Sequence, residues 1–415
     1  MIKFSRYILV AVGILVASIV IPSLYWTIFE KVPRSVNAFY SCVTDDFVIV
    51  DGSSRTDPSG KEYTAEEYEK ILPLMFYRQL MADGTMPDSL KGVKLEVPSI
   101  SRASSFYRYT PKKVDSPVPT LWPMFESQSG KVNLTMPEDY FRIEKRMEFI
   151  VARTNGINEE KSSLFTDALD AEGFAFPARI IAGLPTTRKS CDEGYFVTDS
   201  KGALFHIKMV KGEPYVFRIE TPEDLDIVYI EAVDLRSREY YCYVFTRNKG
   251  IFVVMDEVYD LQRFPIDGFN PEIHSLRISA DLFNKCFTVY GENWYEAIAV
   301  DDRYNVVGTH GDRWENLYER PDGKMFASLF PFEIRTRDED SSYVRFYFIP
   351  SPGFRWIIVN LVALAVAILL IMRRGWSIKS NIPDLIITGV TGIFGLIATQ
   401  FFPNKFNKVK PPSKN

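Results

Sequence analysis

The sequence predicts a membrane protein in which three transmembrane helices carry a large, mostly β extracytoplasmic domain. Three observations predict it. Residues 7–29, 356–372 and 385–402 are apolar runs without a charged side chain. Between the first two runs, short stretches rich in Val, Ile, Tyr and Phe recur, bounded by Asp and Gly, which is the pattern of strands and turns. Aromatic residues make up 14% of the chain, a content that suits strands and membrane interfaces.

Residues 1–6, with Lys3 and Arg6, read as a short cytoplasmic N-terminus. The run 7–29 is longer than the apolar core of a secretory signal, and no small-residue cleavage site follows it, so an uncleaved anchor is expected. Pro22 lies inside this helix, and Tyr25-Trp26 would set amphipathic rings at one interface. The run 356–372 would be about 26 Å long at ~1.5 Å per residue, close to the ~30 Å hydrocarbon core. Its eleven Ile, Val and Leu residues outweigh the one strongly polar side chain, Asn360. Residues 373–384, opening with Arg373-Arg374-Gly375, form the expected cytoplasmic loop, 385–402 the third span, and 403–415 a basic tail.

Lys3, Arg6, Arg373, Arg374 and Lys379 would all be cytoplasmic if the large domain faces outward, as the positive-inside rule prefers. A third span, however, puts Lys405, Lys408, Lys410 and Lys414 outside with Lys31 and Arg34, and the charge count nearly ties. The export-signal character of the first residues tips the expectation to an outward domain on a multi-pass protein of the bacterial cytoplasmic (inner) membrane.

Residues 30–190 read as a mixed α/β region. Val48–Val50 followed by Asp51-Gly52 is a strand and turn. Residues 64–81 carry a helical pattern with Thr64 and Glu67 spaced as a capping box, and Pro73 should split it. Five prolines between 97 and 124 predict loop and extended chain. Residues 158–172 form a second helix, with Asn158 as N-cap, Gly173 as stop, and Leu164, Phe165, Ala168 and Leu169 on one face.

Residues 191–354 read as a β-rich repeat region. Strand pairs are expected at 195–199 with 204–207, at 251–256 with 259–264, and at 295–301 with 304–307. Each first strand ends in an Asp (Asp199, Asp256, Asp301) that can cap the turn through its carboxylate. The spacing is that of propeller blades, so a propeller-like repeat of hairpins is the leading architecture, with a β-sandwich or a long meander as alternatives. A last hairpin is expected at 324–336 and 343–349.

The net charge of −4, with no basic block, excludes a nucleic-acid surface. The four cysteines form no C-x-x-C pair and the three histidines are scattered, so no metal or cofactor is expected. Carboxylates at Asp256, Glu257, Asp260, Asp301 and Asp302 sit where turns need them, and no catalytic residue is assigned. The polar loop 183–194 is the candidate interaction site: Thr186, Thr187, Arg188 and Lys189 could grip an anion, and Asp192 and Glu193 complete its charged set. It lacks the glycine pattern of a phosphate-binding loop. In the last run, Thr388, Gly392, Gly395 and Thr399 place small residues on one face of a continuous helix, a face for close packing in the bilayer against Ala363, Ala365 and Ala367 or a partner subunit.

The stretches Phe174-Ala-Phe-Pro-Ala-Arg179, Pro185-Thr-Thr-Arg188, Asp192-Glu-Gly-Tyr-Phe-Val-Thr-Asp199 and Phe205-His206 resemble an envelope protein family of Bacteroidetes-type bacteria. Leu184 departs from the polar Asn expected at its position. The resemblance implies an N-terminal anchor, a strand-rich body, a C-terminal membrane hairpin and association with an ABC-transporter ATPase. The resulting expectation is a non-enzymatic accessory or permease-like subunit of an ABC-type envelope transport complex, whose partners are the lipid bilayer and ATPase or permease subunits. The alternative is a membrane-tethered extracytoplasmic module that binds a ligand or protein; a tethered hydrolase is the weakest reading.

Overall fold

The computed structural model describes residues 2–29, 36–128, 130, 133–256, 258–336 and 341–404. Lys31, Arg34, Glu257 and the tail lysines lie outside the described residues. The chain divides into a β-rich body (Ser35–Arg313 with Glu339–Ser342) and an apolar unit (Met1–Arg34, Trp314–Asp338 and Tyr343–Asn415). Its helices are α1 (Ile2–Phe29), α2 (Ala65–Ile71), α3 (Tyr77–Ala82), α4 (Val97–Ala103), α5 (Glu159–Ala171), α6 (Pro321–Leu329), α7 (Trp356–Arg373), α8 (Ile382–Thr391) and α9 (Ile393–Phe401).

The body is built of antiparallel meanders, most of whose strands neighbour one another in chain order. One four-stranded sheet runs Ile180–Gly183, Tyr195–Thr198, Leu204–Val210, Glu213–Ile219, and so straddles residue 190. The next runs Ile227–Ala232, Tyr240–Thr246, Ile251–Met255, Leu261–Arg263. A five-stranded sheet joins the strands between Ser275 and Arg313 to Ser105–Tyr109, from far earlier in the chain. The three expected hairpins are present, but as inner or outer pairs of these larger meanders. Among the described residues no closed barrel or propeller forms, so the meander alternative describes the sheets and the propeller expectation is corrected.

Local chemistry explains the turns. Asp199 Oδ1 accepts from the amides of Lys201 and Ala203 (both 2.9 Å), and Asp301 Oδ1 from those of Arg303 (2.9 Å) and Asn305 (2.8 Å). The turn after Asp256 has a backbone closure: the Tyr259 amide donates to the Met255 carbonyl (3.2 Å), with Tyr259 in the left-handed region at φ +59°. The faces between sheets are filled by rings, among them Tyr109, Tyr243, Phe245, Phe264 and Phe287 in one cluster and Phe141, Phe149, Phe165, Tyr195 and Phe205 in another. Each such side chain contributes on the order of 1.5–3 kcal/mol by leaving water.

The body helices follow their end signals. The Glu67 amide donates to Thr64 Oγ1 (3.3 Å) and the Thr64 amide to Glu67 Oε2 (2.9 Å), the reciprocal capping box. Pro73 separates α2 from α3. Asn158 caps α5 by accepting from the Lys161 amide (3.2 Å). The buried face of α5 is Ser162, Phe165 and Leu169, with Leu164 exposed rather than part of it. The proline-rich stretch holds one unexpected helix, α4, because Pro98 falls in a first turn that needs no amide donor.

The apolar unit departs most from expectation. The stretch expected as a strand from 324 is α6, with Pro321 in its first turn and Phe326 and Ala327 buried; only Phe332–Arg335 is strand, paired with Tyr347–Pro350. Among the described residues two helices are long and apolar enough to cross a membrane, Phe4–Phe29 and Trp356–Arg373, each at mean hydropathy 2.5. The third expected span is not one helix. Residues 385–402 break at Gly392, which stands at φ +60°, ψ −129°, a conformation open in practice to glycine alone.

Arg6 shows where the two halves lie. Its Nη1 and Nη2 donate to Asp384 Oδ1 (3.0 Å) and Oδ2 (2.6 Å), and its Nε donates to the Phe402 carbonyl (2.8 Å). Asp384 is in the first turn of α8 and Phe402 follows the last turn of α9. One guanidinium therefore touches both ends of the segment, and α8–α9 is a helical hairpin that returns to its starting level. Its arms of ten and nine residues are each about 15 Å long at ~1.5 Å per residue, half of a ~30 Å hydrocarbon core.

Candidate functional site

The loop 183–194 separates into an exposed tip and a buried foot. Thr186 and Arg188 are exposed, and Thr187 is half-buried. Thr186 Oγ1 accepts from the Arg188 amide (3.1 Å), a local turn. Lys189 does not grip a ligand. Its ammonium lies 2.5 Å from Asp192 Oδ1, both side chains being 2% exposed or less. It also donates to the Leu184 carbonyl (2.7 Å) and sits 4.3 Å from the centre of the Phe125 ring. Asp192 Oδ2 accepts from Ser127 Oγ (2.7 Å). The Glu193 carboxylate meets Lys208 (3.3 Å) and Arg238 (3.1 Å), and its carbonyl is 2.5 Å from His206 Nε2. The foot is thus a buried, ion-paired polar network that pins the loop to the sheet, and the anion-gripping set is broken up.

The small-residue set falls on both arms of the hairpin rather than on one helix. Thr388 is buried in α8, Gly392 is the tip, and Gly395 and Thr399 lie on α9. A Cβ at Gly395 would come 2.3 Å from Thr391 Oγ1 and 3.0 Å from the Ile387 carbonyl, so this glycine lets the arms close on each other. The facing helix is α7, where Ala363 and Ala367 are buried and Ala365 is exposed. The physical reason is geometric: positions two apart on a helix do not share a face, whereas positions four apart do. Asn360 of α7 reaches the tip, donating from Nδ2 to the carbonyls of Gly389 (3.1 Å) and Val390 (3.2 Å). A Cβ at Gly392 would lie 2.0 Å from Asn360 Oδ1. The Asn that hydropathy treats as a penalty serves carbonyls that the break leaves without helical partners.

A third feature, which sequence reasoning missed, is a cavity of about 310 Å³ inside the body. Its apolar wall includes Phe39, Leu72, Leu74 and Phe106, and Cys42 and Cys286 also line it. Pro73 ends α2 at the point where Leu72, Leu74 and Met75 turn toward the cavity. Its polar end is the turn between the strands Ser275–Ala280 and Lys285–Tyr290. There Asp281 Oδ1 accepts from the amides of Phe283 (2.8 Å) and Asn284 (2.9 Å). Asn284, 9% exposed, donates from Nδ2 to the Val300 carbonyl (3.3 Å), and its Oδ1 has no partner. Burial raises the Asp281 carboxyl above its usual range and pushes the thiols of Cys42 and Cys286 up to about 12. Both thiols stay protonated at neutral pH, so the wall offers a binding surface rather than a thiolate nucleophile. The signal was the Asp281-Leu-Phe-Asn284 turn between two apolar strands, but no spacing rule brings residues 39–77 to it.

A β-meander body with a largely apolar, partly open cavity and, among the described residues, two long apolar helices defines the class of protein. The family described as Domain of unknown function (DUF4857) matches residues 37–300, more than half of the chain, and the chain belongs to that family. The matched stretch contains every residue lining the cavity and the whole 183–194 loop. No curated protein matches the chain.

Proposed function

We propose that this chain is a membrane-tethered, non-enzymatic ligand-binding module of the bacterial cytoplasmic membrane, its β body outside and its cavity the ligand site. The observation that carries the reading is the cavity: mostly apolar, of ligand-sized volume, with a minority of polar side chains in its lining, as in small-molecule sites. The hairpin supports the outward orientation. Asn404, which follows α9, donates to the carbonyl of Ser380 in the 373–384 connection (3.2 Å). Asn404 therefore lies at the same end of the hairpin as that loop and Arg6. Without a third crossing, Arg6, Arg373, Arg374 and Lys379 favour an inward-facing loop and an outward body by the positive-inside rule.

Single cysteines in a cysteine-free background test this. An impermeant maleimide should label Ser53→Cys in intact cells, and Ile378→Cys and Ser413→Cys only after permeabilisation. The opposite pattern inverts the protein, and outside labelling at 413 but not at 378 restores a third span. A second reading, an accessory subunit of an ABC-type transport complex, is favoured by the hairpin as well. Re-entrant backbone needs protein around it, yet Ile386 and Val390 of α8 are 61% and 65% exposed. Co-purification of an ATPase or permease in mild detergent supports this reading; recovery of the chain alone counts against it.

A further inference from the structure

We propose that the cavity takes a small apolar ligand headed by a primary amine, an inference that rests on reading the body as a ligand-binding module. The argument starts from what the polar end offers. Asn284 Oδ1 is a buried acceptor without a donor. Asp281 adds a carboxylate of which one oxygen already serves two amides. No Lys, Arg or His lines the cavity. The two cations acting on Asp281 from outside the lining are Lys91, paired with Asp45, and Lys285, paired with Glu239.

A lining that holds a carboxylate and hydroxyls (Ser104, Ser105 and Ser279 among them) but no cation selects the head group. A carboxylate or phosphate would bring like charge against Asp281 with no lining cation to offset it. An alcohol donates one hydrogen, too few for both the amide oxygen and the carboxylate. An ammonium donates three and neutralises the carboxylate in a site poor in water, where such bonds are strongest. The tail is set by the wall: Phe39, Leu72 and Leu74 within, and Met75 and Phe106, 46% and 64% exposed, where the cavity meets solvent. The volume of about 310 Å³ equals roughly ten waters at ~30 Å³ each, which suits a phenyl ring on a two-carbon amine better than a long acyl chain.

The test is calorimetric titration of the full chain in detergent with 2-phenylethylamine, 2-phenylethanol and 3-phenylpropionate, micelles alone giving the blank. The amine should bind at least about tenfold tighter than the alcohol, and the acid not at all. Asp281→Asn keeps the Oδ1 that caps the turn but removes the charge, and should bring the amine to within about threefold of the alcohol. Leu74→Trp should fill the space and abolish binding of both. Equal amine and alcohol affinities, unchanged in Asp281→Asn, overturn the amine inference while leaving the binding module intact. If none of the three probes binds, and Leu74→Trp changes nothing, the cavity reading falls as well.

Discussion

Acid should unfold the body through His206. The ring is fully buried and stacks on Phe196 at 4.4 Å with the planes 8° apart. Its Nε2 faces the Glu193 carbonyl at 2.5 Å, and a carbonyl only accepts, so Nε2 carries the proton. Nδ1 is then bare and accepts from the Tyr259 hydroxyl at 2.7 Å, which can itself accept from Tyr215 at 3.2 Å. Protonation of Nδ1 would set N–H against O–H and place a charge in an aromatic box. Burial accordingly holds the pKa down to about 3, against about 6.5 in the unfolded chain. The sign follows: the unfolded state takes the proton first, so the stabilisation is complete above about pH 6.5 and is lost as pH falls toward 3. At ~1.4 kcal/mol per unit, the two units between 6.5 and 4.5 remove about 3 kcal/mol, a large part of a typical ~5–15 kcal/mol stability. Urea melts of the full chain in detergent at pH 7.0, 6.0, 5.0 and 4.5 measure the slope. The same series on His206→Gln subtracts the carboxylates that titrate in parallel. The variant should be less stable at pH 7 and flatter with pH; equal slopes in both proteins would refute the neutral-histidine account.

Two further substitutions probe the other polar anchors. Gly392→Ala forces a side chain into glycine-only backbone and against Asn360, and should lower stability in detergent by at least ~1–3 kcal/mol, read as a lower melting temperature. Lys189→Met leaves the buried Asp192 without its cation and should cost about 3–5 kcal/mol, whereas Arg188→Ala on the exposed tip should stay within about 0.5 kcal/mol of wild type by the same melt.

Much of the body was legible because its signals are local. The Thr64–Glu67 box, the Asn158 cap, the Pro73 break and the Asp199 and Asp301 turns each act over five residues or fewer, and all are present. What failed was long-range. Ser105–Tyr109 pairs with Ser275–Ala280, and no pattern in either strand names the other. The cavity is likewise assembled from Phe39, Leu74, Phe106 and Asn284, scattered over most of the matched family region. The loop misled for a different reason. A polar run looks like a surface, but Lys189 and Asp192 neutralise each other under Phe125, and composition cannot show that two charges in a loop are spent on one another.

The hairpin carries the same lesson into the apolar unit. Hydropathy sums side chains along a run and is blind to the direction the chain takes. A helix through 385–402 and a hairpin folded at 392 have identical sums. What separates them is backbone cost: a break within hydrocarbon strands carbonyls, each costing several kcal/mol unless another group donates to them. Asn360 supplies that donor to two carbonyls, and Arg6 closes the open end on a carboxylate and a third carbonyl. Asn360 is therefore better read as a partner for missing backbone bonds than as a blemish on a span. An Asn in one run opposite a Gly-x-x-Gly in the next, with an Arg and an Asp near the segment ends, is the pattern in the sequence that marks the break.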